Sequence, residues 1–464
     1  MVGTAACRPP RSRGDPGSLT ANLQEFPMFS RTRTTSVAVA LAVTAGTAVT
    51  VAQASDSGAS RHATGHEAAE GAWTAAWAAA PQRPSTNFKA NWSEAGFDDQ
   101  TLRQVVRVTE GGDRARIRLS NRYGASPLRI ASATVARTAG TKGADVERGS
   151  VRRLTFGGAG SATVPAGGQL ASDEAGLDLG RFESVTVTLH LAGTTGPATF
   201  HAQSFATSYR AQGDHTADTG ARAFKESTES WYYLSGVDVR DSRTAGGRGT
   251  VPRRTGVVLF GDSITDGFAS STDTNRRWSD ALAERLAKSG TPRPVLNSGI
   301  GGNMVLNDSA WYGDKGTGRF RRDALDLPGA KTVVVLEGVN DIGFSETDKP
   351  TYKPAPVVSA EQLIAGHREL IRAAHDKGLK VVGATLVPLG GSDHYGARAA
   401  AVSDAFNAWV RTSGEYDAYV DLDRALADPA DPERIRPAYD SGDHLHPNDA
   451  GYRAMARAVD LGTL

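Results

Sequence analysis

The chain has 464 residues, 52 basic and 51 acidic side chains for a net charge of +1, and one cysteine. That length exceeds what a single hydrophobic core can hold and suits two or three domains. The near-neutral charge, with no basic stripe, argues against nucleic acid, and the absence of Cys/His clusters at ligand spacing argues against a metal centre.

Residues 1–27 carry Pro9, Pro10 and Pro16 and read as an unfolded extension, with Met28 as an alternative start. From 28 to 54 the pattern is that of a signal peptide. Arg31 and Arg33 precede an Ala- and Val-rich run from Val37 to Val51, and Ala52-Gln53-Ala54 supplies a small-x-small cleavage site. The run is short and broken by threonines, which disfavours a membrane anchor and predicts a secreted protein. Cys7 lies upstream of that site, so the mature chain would hold neither disulfide nor thiolate.

Residues 55–72, rich in Ser, Ala, Gly and His, read as a linker. From 73 to 240 the texture is all-β: Arg114–Leu119 and Val185–Leu191 alternate as half-buried strands, between Gly, Pro and Asn turns. Such runs predict a β-sandwich or jelly-roll-like domain. Its aromatics Trp92, Trp231, Tyr232 and Tyr233 either bind polysaccharide or pack inside, and packing is favoured because aromatics in sandwiches are more often core. Residues 241–254, with Gly246, Gly247 and Gly249, connect it to a second domain at 255–464.

That second domain alternates strand-like runs with amphipathic ones. Helices are expected over Arg277–Ser289, Ala360–Lys377, Gly396–Ser413 and Asp449–Asp460, with further strands at Lys380–Leu386 and Tyr419–Leu422. The pattern predicts an α/β fold, a parallel sheet with helices on both faces. Val257-Val258-Leu259-Phe260 reads as a buried strand ending in Gly261-Asp262-Ser263. A serine at the carboxyl end of a parallel strand sits where open sheets place their ligands. Asp443 and His446, three apart, can share one side of a turn and supply a base with its orienting carboxylate. Between them, Asn297 to Asn303 and Glu337 to Asp341 are small-residue turns after strands, suited to donors for an oxyanion.

These four patches resemble the blocks of the SGNH (GDSL-type) hydrolase family, over roughly residues 255 to 464. The resemblance implies a three-layer α/β/α fold and a serine esterase without cofactor or metal. Ser263 would be the nucleophile, His446 the base and Asp443 its partner. The oxyanion hole would be Ser263 N–H, Gly302 N–H and the Asn340 amide, with Gly299 and Gly301 competing for the register of Gly302. The β-domain resembles the N-terminal sandwich of some actinobacterial members, through Trp77–Gln82 and Thr101–Val106.

Each residue also has a plainer reading. His444 competes with His446, but Pro447 and the three-residue spacing from Asp443 favour the latter; Asp440 is more distant. Asn340 can serve as a cap, and Asp262, Asp266 and Asp341 read as turn and cap residues. Glu337 is either a buried partner or a solvated strand end, and His394 is expected in a loop. The Gly-x-Ser-x-Gly elbow is absent, which excludes an ordinary α/β-hydrolase. The expected activity is hydrolysis of short acyl esters on small-molecule or polysaccharide alcohols, with the Met304–Arg322 loop, Trp311 and Tyr312 lining the pocket. The alternatives are a lipase- or phospholipase-type acylhydrolase, an acyltransferase, and a glycan-binding protein with a vestigial hydrolase domain.

Overall fold

The computed structural model describes residues 73–86, 88–242 and 255–464. The expected extension, signal peptide, the 55–72 linker and most of the 241–254 connection lie outside the described residues.

The first part is antiparallel. One sheet contains Thr74–Ala78, Leu234–Arg240, Gly112–Ser120, Gln169–Ala171 and Ala175–Leu179. The other runs Glu226–Thr228, Ser208–Gln212, Gln100–Arg107, Ser184–Leu191, Ser132–Arg137, Arg152–Arg153. Both sheets turn apolar residues into one core that includes Leu102, Ile117, Val135, Val187 and Val237. Gly112–Ser120 keeps the expected alternation between buried and partly exposed positions. Ser184–Leu191 does not: it is buried along its whole length. It is a central strand, and its second face is covered by charged and polar partners, with Arg103 Nε donating to Thr188 and His190 meeting Asp99. Trp92, Trp231, Tyr232 and Tyr233 are all buried, in edge-on and stacked contacts with Trp77, Phe97 and Phe200, so their role is packing.

The second part is a five-stranded parallel sheet. Its strands are β1 (Gly256–Gly261), β2 (Val295–Gly299), β3 (Ala330–Leu336), β4 (Lys380–Ala384) and β5 (Ala418–Val420), in the order β2-β1-β3-β4-β5. The Val- and Leu-rich runs of β1 and β3 are buried on both faces, as parallel strands require. Helix α1 (Ser263–Asp266) is a single turn that was not among the expected helices, whereas α2 (Trp278–Lys288), α3 (Ala360–Asp376), α4 (Ala397–Thr412) and α5 (Asp449–Ala458) follow the expected spans closely. α3 starts with a reciprocal capping box between Ser359 and Gln362. On α2 the residues Trp278, Leu282 and Leu286 form the buried stripe.

Both parts belong to one compact unit and are joined by hydrogen bonds. Ala75 N–H donates to Pro328 O at 2.9 Å, Thr109 Oγ bonds both N–H and C=O of Val295, and Thr207 bonds Asp273 through backbone and hydroxyl. Ala75 and Ala78 even contribute to the core of the parallel part.

Candidate active site

β1 ends in Gly261, where the chain must turn sharply. A Cβ there would lie 2.1 Å from Leu336 O and 2.4 Å from Thr265 Oγ, so no larger residue fits. Asp262 then caps α1, its carboxylate accepting from Ile264 N–H at 2.9 Å, and Ser263 is the first helical residue. This strand–turn–helix leaves the Ser263 side chain at the carboxyl end of the sheet.

His446 reaches it from the segment before α5. Ser263 Oγ and His446 Nε2 are 2.7 Å apart, and His446 Nδ1 and Asp443 Oδ2 are 2.6 Å apart. The second Asp443 oxygen accepts from Ser441 Oγ, Leu445 N–H and His446 N–H, which makes the aspartate the hub of the turn. The base of that loop is closed by Asn448, whose side chain caps α5 and also donates to Asp440 O. Burial alone would raise the Asp443 carboxyl, but the hydrogen bond and charge of His446 hold it well below the usual carboxylate range. A carboxylate on Nδ1 forces the proton there and leaves Nε2 as the acceptor for the serine hydroxyl. Phe268 packs on the imidazole at 4.3 Å between ring centres.

His444 and Asp440 pair with each other at 2.6 Å instead of with Ser263. The two Asp–His pairs interleave in sequence, and only the tertiary fold separates them.

The turn after β2 carries three closely spaced glycines. Gly299 N–H donates to Asn297 Oδ1 at 2.9 Å and Gly301 N–H to Asp266 Oδ2 at 3.1 Å. Gly302 instead lines the pocket, with φ +74°. A Cβ on it would lie 2.2 Å from the Tyr312 ring. After β3, Asn340 sits in a short helix (Val339–Gly343) with its amide fixed at both ends. Its Nδ2 donates to Asn303 O at 2.8 Å, and its Oδ1 accepts from His394 Nε2 at 3.1 Å. Because Oδ1 can only accept, that contact sets the His394 tautomer. Burial pushes His394 down to about 3, so the ring stays neutral.

His394 is therefore more than a loop histidine: it is buried, touches Asn340 and lines the pocket. Nothing in its local sequence signals this, because its partner is 54 residues away. Arg319 was equally hidden. Fully buried, it ties together the ends of the first three strands, bonding Gly261 O, Ser298 O and Asn303 Oδ1 at 2.7–2.8 Å and Glu337 at 3.3 Å, over the face of Phe260. Glu337 is thus a buried partner and not a solvated strand end. Asp341 accepts from Val305 and Leu306 N–H and holds the following loop.

The pocket above Ser263 has a volume of about 260 Å³. Its walls are aromatic, with Tyr312, Phe344 and Tyr352 in a ring cluster. Phe88, from the antiparallel part, faces Tyr312 at 5.6 Å. Of the expected loop residues, Tyr312 lines the pocket, while Trp311 packs behind it with Met304 and Phe344. The loop is not open throughout, since Gly316–Phe320 is helical.

The fold around this site is similar to a GDSL-like lipase from Bacteroides thetaiotaomicron (18% identity, 48% of this chain and 93% of that one, TM-score 0.34). It is also similar to Axe2, an acetylxylan esterase from Geobacillus stearothermophilus (22% identity, 44% of this chain and 91% of that one, TM-score 0.35). No curated protein matches the chain. Residues 259–454 match the model of the GDSL-like lipase/acylhydrolase family. The chain therefore carries a GDSL-like lipase/acylhydrolase domain, a serine hydrolase acting on esters.

Proposed function

We propose that the protein is a secreted esterase that hydrolyses short acyl esters of small or polysaccharide alcohols through Ser263, His446 and Asp443. The observation that carries this reading is the continuous hydrogen-bond chain from Ser263 Oγ through His446 to Asp443 at the floor of the pocket. His446 Nε2 takes the hydroxyl proton as Oγ attacks the acyl carbonyl, and the imidazolium that forms is stabilised by Asp443. The tetrahedral oxyanion is received by Ser263 N–H, Gly302 N–H and Asn340 Nδ2, a set of donors oriented before substrate arrives. His446 then protonates the departing alcohol, and the same histidine activates the water that hydrolyses the acyl-enzyme.

The register is supported by exclusion: the Gly299 and Gly301 N–H groups are already engaged, whereas Gly302 borders the pocket. The modest pocket volume suits a short acyl group, and its aromatic walls suit the flat face of a sugar or aryl alcohol. Nitrophenyl esters from acetyl to palmitoyl, assayed with Ser263→Ala as the blank, test the proposal. A Ser263-dependent rate that is steepest for acetyl is expected. A peak at long chains would replace it with a lipid-directed acylhydrolase, and no Ser263-dependent rate would remove it.

A further inference from the structure

His201 lies on the antiparallel side of the molecule, yet through Asp266 it is linked to the turn that carries Gly302. Its ring is buried and stacks on Trp231 at 5.5 Å between centres. Nδ1 is 3.0 Å from Ala80 O, which can only accept, so Nδ1 carries a proton. Nε2 is 3.0 Å from Asp266 Oδ1, so imidazole and carboxylate share one further proton between them. Burial drives His201 toward the neutral form, but the charge and hydrogen bond of Asp266 outweigh it and raise its pKa, against an opposing push from Arg277.

Asp266 closes α1, the helix that Ser263 opens. Its other oxygen, Oδ2, accepts from Gly301 N–H at 3.1 Å. The glycine turn is pinched from two sides. A Cβ at Gly299 would lie 2.2 Å from Asp266 N, and one at Gly301 would lie 2.0 Å from Gln203 Oε1 and 3.0 Å from Phe88. One wall is thus the nucleophile helix and the other is the β-sandwich. Between them lies Gly302, with no Cβ and a positive φ; Asn303 N–H closes the turn on Ile300 O at 3.1 Å, and the Gly301 bond ties that turn to the end of α1.

We propose that His201 is a positioning residue for ester hydrolysis: through Asp266 it holds the Gly301 peptide and so aims the adjacent Gly302 N–H at the developing oxyanion. The inference rests on the reading of Gly302 as an oxyanion donor. It gives the sandwich a part in catalysis, with His201 supporting the glycine turn through Asp266 and Phe88 forming pocket wall.

The test uses the full chain and p-nitrophenyl acetate, with kcat and KM resolved and melting temperatures measured. His201→Phe leaves Asp266 Oδ1 without its donor and should lower kcat about tenfold or more, short of the roughly 10²–10³ lost with an entire oxyanion donor. KM should hardly move, because the misaimed group acts in the transition state alone. His201→Gln, whose amide can still donate toward Asp266, should recover most of the rate. His201→Asn, whose amide is too short to reach, tests the same loss with less disturbance of packing. Asp266→Ala combined with His201→Asn should be no worse than the more damaging single change, as expected for two residues on one path.

A kcat unchanged by His201→Phe or His201→Asn would overturn the proposal. So would a raised KM with kcat intact, the signature of a sandwich that only walls the pocket, or a His201→Gln variant as slow as His201→Phe. A wild-type chain lacking any Ser263-dependent rate would instead remove the underlying reading and this inference with it.

Discussion

Replacing Asn340 with alanine isolates a side-chain donor of the proposed oxyanion hole. One amide proton of Asn340 is committed to Asn303 O and its oxygen to His394, leaving the second proton for substrate. Loss of one such donor typically slows kcat about 10²–10³-fold, or about 3–4 kcal/mol of transition-state stabilisation. The same change leaves the Asn303 carbonyl and the His394 ring N–H without their partner in a buried place, at a cost of about 1–3 kcal/mol in stability. At the roughly 2–4 °C per kcal/mol of a domain of about 200 residues, that lowers the melting temperature by about 2–12 °C. At 25 °C the variant should therefore be folded and slow. Steady-state kinetics on p-nitrophenyl acetate should show the loss in kcat with KM nearly constant, and calorimetry should show the modest shift in melting. A kcat within about threefold of wild type would refute the assignment, because that is far below the cost of a lost donor. A large drop in melting temperature with unchanged kcat would make Asn340 a structural cap only.

Four further outcomes are expected. His446→Ala should abolish the Ser263-dependent rate while His444→Ala leaves most of it, since only His446 contacts Ser263; the reverse result would transfer the base to the Asp440–His444 pair. Asp443→Asn should lower kcat by about 10⁴ with the fold intact, because the amide favours the wrong imidazole tautomer; a small effect would show that the turn alone orients His446. Burial pushes the Asp341 carboxyl up to about 7, above its unfolded value near 3.9, so the native state binds that proton more tightly. Its contribution to stability is then present in full below about pH 4 and lost as pH rises through 7, by up to about 1.4 kcal/mol per pH unit. Urea denaturation between those limits should show a shallower decline for Asp341→Asn than for wild type, and equal slopes would refute the shift. Phe88→Ala should raise KM for bulky alcohol moieties with kcat nearly unchanged, since the ring borders the pocket without touching the reacting groups; identical KM values across the ester series would remove it from the binding wall.

The sequence alone determined what is local. Buried apolar runs ending in glycine turns mark parallel strands, because both faces of such a strand must be apolar and its end must turn within a residue or two. Thus β1, β3 and the four long helices were legible to within a few residues, as was the closeness of Asp443 to His446, which lie three residues apart in a single turn. What needed the tertiary structure is whatever depends on partners far along the chain. The register of the glycine turn is ambiguous in sequence, and what favours Gly302 comes from the fold: Asn297 and Asp266 engage the N–H groups of Gly299 and Gly301. Asp266 reads as a turn residue until His201, 65 positions away, is seen against it. His394 and Arg319 lie in loop-like sequence with no periodicity, and their burial follows from strand-end loops converging on one edge of the sheet. The full burial of Ser184–Leu191 has the same origin: alternation reports one covered face, and the second was covered by chain from elsewhere. Side-chain type and spacing carry the chemistry, whereas burial and hydrogen-bond partnership belong to the whole fold, because each is set by residues that only folding brings within reach.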